Sequence, residues 1–115
     1  MAVLAEVFIG STLKELRITL VDESGNIRVI TGGAVRLQGK SADLPSKTLD
    51  VAGTIYDGPN GIARWTQLGG TGFVTTGDMG GVTEATFVCQ VKYTDSGSLV
   101  DYGPTFELVW KKPIV

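Results

Sequence analysis

The stretch "EATFVCQVKYT", residues 84–94, constrains the fold more than any other part of the chain. Ala85, Phe87, Cys89, Val91 and Tyr93 alternate with Glu84, Thr86, Gln90 and Lys92, so an extended strand here turns one face to a core and the other to water. Shorter runs elsewhere keep the same period of two, and no long stretch keeps the i, i+3, i+4, i+7 spacing of an amphipathic helix. The pattern is that of antiparallel sheets packed on one face, and the class it predicts is all-β.

In "LRITLV", Leu16, Ile18 and Leu20 share the core-facing parity. The segment "DESGN" (Asp22 to Asn26) then supplies turn residues that bond their own backbone or accept positive φ, and "IRVI" is read as the returning strand. "AVRLQ" directs Val35 and Leu37 inward. "TLDVAGTIY" offers Leu49, Val51 and Ile55, interrupted at Gly53 by what reads as a bulge. "DGPNG" turns the chain into "IARWT". After the long strand, "DSGS" leads to "LVDY" and "TFELVW", where Phe106, Leu108 and Trp110 share one face and Pro104 separates the two pieces. About seven short strands with regular turn signals predict an immunoglobulin-like antiparallel β-sandwich over residues 13–112; a small barrel is the alternative. At 115 residues the chain has the length of one domain. An apolar N-terminal extension (1–12) and a short tail (113–115) flank the sandwich.

The succession "LRITLVDESGNIRVITGGAVRLQ", "AGTIYDGPNGIARW" and "EATFVCQVKYTDSGSLVDYGPTFELVW" resembles the immunoglobulin-like N-terminal domain family of phage baseplate upper proteins over roughly residues 13–110. The resemblance lies in a first strand ending in a D-x-x-G turn, a "GAVRL" strand, a central D-G-x-x-G-x-A turn and a late hairpin. It implies a structural or assembly protein of a tailed-phage virion, made in the host cytoplasm, and brings no catalytic residue with it. A chain of one domain points to head decoration, with a tail or baseplate position as the alternative. The implied partners are phage capsid or tail proteins and further copies of the chain within the particle.

The residues that carry chemistry are few. "LGGTGFVTTGDMGGV", Leu68 to Val82, has six glycines but no G-K-[ST] and no G-x-G-x-x-G opening a helix, so a phosphate cradle is not expected. It reads instead as a flexible contact loop whose Phe73, Val74 and Met79 reach a neighbour. The chain has no histidine, hence no Ser-His-Asp or Cys-His arrangement. Cys89 is the only cysteine; it forms no intrachain disulfide and sits on the apolar parity of its strand, as a core residue would. Asp22 with Glu23, and Asp95 with Asp101, are the carboxylate pairs, each explained by its turn. Neither "DESGN" nor "DGPNG" has the spacing of a calcium loop. No catalytic residue, metal site or cofactor is predicted. Ten basic against twelve acidic residues, without a basic stripe, point away from nucleic acid. No apolar run reaches the length of a membrane-spanning helix, and no membrane partner is expected.

The ends are where contact is expected. "AVLAEVFIG" is apolar on both parities, with Val3, Val7 and Ile9 on one and Leu4 and Phe8 on the other. Such a segment either docks on a neighbouring subunit or adds a strand to its own sandwich, and docking is the reading adopted. Ile114 and Val115 after Pro113 give a second contact point. A carbohydrate-binding adhesion module built on Tyr56, Trp65, Phe73 and Tyr102 is the remaining alternative.

Overall fold

The computed structural model of the protein describes residues 3–114 and contains among them nine strands and one short helix. In chain order these are β1 (Val3–Phe8), β2 (Leu16–Thr19), β3 (Ala34–Lys40), β4 (Thr48–Ala52), β5 (Thr54–Asp57), β6 (Ile62–Trp65), α1 (Thr76–Met79), β7 (Glu84–Thr94), β8 (Val100–Tyr102) and β9 (Phe106–Lys111). One sheet has the order β1-β9-β7-β3-β4, with β8 also paired to β7; the other is β2-β6-β5. The two form an all-β sandwich. In immunoglobulin lettering, β9-β7-β3-β4 are strands G-F-C-C′ and β2-β6-β5 are B-E-D. All pairings are antiparallel except that of β1 with β9.

The alternation that predicts β7 is realised along its full length: Ala85, Phe87, Cys89, Val91 and Tyr93 are buried. They meet Val35 and Leu37 of β3, Leu49 of β4 and Phe106, Leu108 and Trp110 of β9 within the large sheet, and Leu16, Ala63 and Trp65 from the small one. Phe87 sets its edge against the Trp110 ring at 5.4 Å and 80°.

Four local expectations are corrected. Residues 27–30 form no strand beyond an isolated Val21–Ile27 bridge. Asp22 closes this turn by accepting the N–H groups of Ser24 and Asn26, and the chain then bends away so that Ile30 is buried and gives its N–H to Gly58 O. Gly53 is no bulge but the point at which the chain leaves one sheet for the other, between β4 and β5. The N-terminal segment is a strand of its own sandwich: β1 runs beside β9 with Val7 opposite Trp110, and Val7 is buried. Residues 68–82 are not a flexible contact loop. Leu68, Phe73, Val74 and Met79 lie in the chain's own core, Phe73 stacks on Trp110 at 6.2 Å, and the Trp110 indole N–H donates to Leu68 O at 2.9 Å. Within the segment Thr75 and Asp78 form a capping box that starts α1, each side chain accepting the other's backbone N–H. Glycine there serves close passage of backbone over backbone, as where Gly10 N–H donates to Gly69 O at 2.7 Å.

Candidate functional site

In an immunoglobulin sandwich a strand A flanks strand B. Here β1 pairs with β9 instead, so β2 bonds to β6 on one side and, among the described residues, to no strand on the other. Leu20 gives its N–H to Gly61 O and accepts Arg28 N–H on its own carbonyl. Hydrogen-bonding direction alternates along a strand, so the peptide groups of Thr19 and Val21 point the opposite way, to the open edge.

Between this edge and the rim of the large sheet lies a groove of about 330 Å³. Ile18, Thr19, Leu20 and Val21 form one wall, and Leu4, Val91, Tyr93, Thr105 and Phe106 the other. At one end Arg28 pairs with Asp101 at 2.6 Å and lies over the Tyr93 ring at 5.9 Å. The ion pair ties the turn after β2 to β8. Leu4 and Tyr102, each about half exposed, stand at the mouth.

On the outer face of the small sheet, Arg17 of β2 is directly opposite Arg64 of β6, and both guanidinium groups stack on Tyr56, at 4.0 and 5.2 Å from its ring centre. Glu15 accepts from Arg17 Nε at 2.6 Å. Arg64 Nε is buried without a hydrogen-bond partner among the described residues.

The residues singled out for contact are dispersed. Val3, Leu4 and Phe8 are each about half exposed on β1, and of these Leu4 alone lines the groove. Ile9 is half-buried against the core, and Val7, Phe73, Val74 and Met79 are buried, which withdraws these four from any surface contact of the folded chain. Ile114 is exposed, and Val115 lies outside the described residues. The sugar platform does not assemble: Trp65 and Phe73 are core residues, Tyr56 is exposed with two arginine guanidinium groups against its ring, and Tyr102 belongs to the other sheet. Asp95 sits opposite Leu99, not Asp101, and accepts the N–H groups of Gly97 and Leu99. Burial pushes the Cys89 thiol up to about 12. Among the described residues no three metal-ligating side chains converge, and no helix is long and apolar enough to cross a membrane.

Strand parity along residues 16–19 does not predict the open β2 edge. Its trace in the sequence is that Arg17 and Arg64 both fall on the outward parity of short strands, but which strands lie side by side is a matter of topology that parity does not encode. No protein-family model and no curated protein sequence matches this chain.

Proposed function

We propose that the protein is a non-enzymatic structural component of a tailed-phage particle, where it decorates the head by holding an extended segment of a neighbouring virion protein along β2. One observation carries this reading: a strand edge that is unpaired among the described residues runs beside an apolar groove between two sheets. An exposed edge offers main-chain hydrogen bonds, and a groove next to it receives the alternate side chains of an added strand. The pattern-level resemblance to phage baseplate upper proteins supplies the virion setting.

Thr19→Pro tests the reading. Proline removes an N–H that points to the open edge and leaves the bonds between β2 and β6 in place. The variant is expected to melt within about 1 kcal/mol of the parent and to be lost from purified particles in which the parent occupies head positions. Density for the parent at the tail or baseplate would move the proposal there, and normal incorporation of Thr19→Pro would end the edge mechanism.

A further inference from the structure

We infer that the strand received by β2 is an extended segment of a different protein, carrying an Asp or Glu opposite Arg17 and apolar residues at the alternating positions; this rests on the docking reading above. The outer face of the small sheet holds a cross-strand row, Arg17–Arg64–Thr54, from β2 through β6 to β5. Like charges directly opposite one another destabilise a sheet. Glu15 offsets Arg17 only, through its Nε, while the Arg64 guanidinium makes no hydrogen bond or ion pair among the described residues and keeps a buried, unpartnered Nε. The row therefore carries two guanidinium charges against the single carboxylate of Glu15, and the position beside Arg17 on the open edge is where an added strand can bring a second one.

A strand added at that edge puts one residue directly beside Arg17, with Cβ atoms about 5 Å apart. A carboxylate there faces a planar guanidinium that can hold both its oxygens. The residues before and after it point to the other face, alongside Leu16 and Ile18 and into the groove, which calls for apolar side chains. The edge thus reads an alternation of apolar and polar positions with an acid at one fixed place.

A second copy of this chain fits less well. Its β1 is the other open edge on this side of the sandwich and carries Glu6, but Glu6 already pairs with Lys111 at 3.1 Å and Val7 is committed to its own core. Docked edge to edge, β1 brings no unpaired carboxylate to Arg17, and its buried Val7 cannot turn to the groove.

The test uses the intact ¹⁵N-labelled chain and synthetic nine-residue peptides of alternating valine and threonine, with Glu or Lys at the central threonine position. Saturable shifts of the Thr19 and Val21 amides are expected, with the Glu peptide bound about five- to tenfold more tightly and the margin shrinking with added salt. Arg17→Glu, which places a carboxylate opposite Arg64 in exchange for a like charge beside Glu15, should fold and reverse the preference. Equal binding of the two peptides overturns the acidic-strand inference, as does a response confined to other amides. Concentration-dependent broadening of the same amides without peptide overturns it in favour of a second copy. Glutarate reproducing the Arg17 and Arg64 side-chain shifts while the peptides leave the edge untouched overturns it in favour of a small-anion site. If peptide preference is absent yet Thr19→Pro is lost from particles, the docking reading stands and only the acidic partner falls. If the preference is present but incorporation is unaffected by Thr19→Pro, the strand site stands and its role in the particle falls.

Discussion

Gly53 and Trp65 fit together so closely that a Cβ on Gly53 would stand 2.5 Å from Cε2 of the indole. The same indole donates from Nε1 to Val51 O at 2.9 Å, anchoring the chain just before it crosses from one sheet to the other. Gly53→Ala must move either the buried ring or the crossover. We expect a loss of about 1–3 kcal/mol, the usual cost of overpacking. Denaturant unfolding of the variant measures it, and a neutral result would mean the crossover has slack that its hydrogen bond does not suggest.

A second close approach joins Gly39 and Cys89, opposite one another across β3 and β7. A Cβ on Gly39 would lie 2.8 Å from Sγ. Because the thiol is buried and its pKa is raised to about 12, Cys89 should not react with maleimides in the folded protein at neutral pH. Cys89→Ala is expected to cost roughly 1–2 kcal/mol through the space it leaves. The double variant Gly39→Ala/Cys89→Ala should then be more stable than the sum of the two single changes predicts, since each partly fills or vacates the other's volume. Additive losses would show that the two sites do not share space.

These two pairs mark what the sequence could and could not disclose. The parity of residues 84–94 is a local property, and β7 follows it residue by residue. Asp22 and Asp95 close their turns through their own backbone, which is equally local. Residues 68–82 read as a flexible loop because their burial depends on Trp110, 42 residues beyond Leu68, whose indole N–H and ring meet Leu68 and Phe73. Nothing in a glycine-rich string announces that partner. The open β2 edge was hidden for a similar reason: it exists because β1 pairs with β9 from the opposite end of the chain.

Replacing residues 68–82 with a two-residue Asn-Gly turn should accordingly unfold the protein or bring it close to unfolding. The change removes the buried Leu68, Phe73, Val74 and Met79, each contributing on the order of 1.5–3 kcal/mol, against a net stability of about 5–15 kcal/mol for a domain. Loop-closure entropy, about 0.6 kcal/mol per halving of loop length, is too small to compensate. Far-ultraviolet circular dichroism with a thermal scan decides the matter, and a cooperative transition near that of the parent would restore the flexible-loop reading.

Asp78 ties stability to acid pH. The Thr75 N–H donates to its carboxylate at 2.9 Å and Lys47 lies 3.0 Å away, and these hold its pKa below the ordinary 3.8 against the opposing effect of desolvation. A carboxyl depressed on folding contributes stability above its unfolded pKa, and that contribution is lost as pH falls through the folded one. The melting temperature should therefore decline as the pH falls through and below the ordinary carboxyl range, and decline less in Asp78→Asn. Thr75→Ala, which removes the other half of the capping box, should cost about 1 kcal/mol at neutral pH. An Asp78→Asn profile superimposable on the parent's would show that other carboxyls govern the acid limb.

The N-terminal strand separates its two faces more sharply than its composition does. Val7 stands opposite Trp110 with 1% of its surface exposed, whereas the adjacent Phe8 keeps 52%. A contact arm reserved for a neighbour would expose both parities, and a strand of the chain's own sandwich exposes one. Val7→Ala should then cost about 2 kcal/mol, in the range for truncating a buried aliphatic side chain. Phe8→Ser should fall within about 0.5 kcal/mol of the parent, because it removes an apolar group that water already reaches. Removing residues 1–9 should lower stability by more than Val7→Ala, since the β9 edge loses its parallel partner together with the buried valine. Chemical denaturation of the three variants provides the comparison. Equal, small effects of all three would return β1 to the status of a free arm, whereas a large effect of Val7→Ala beside a negligible one for Phe8→Ser fixes β1 as part of the folded core.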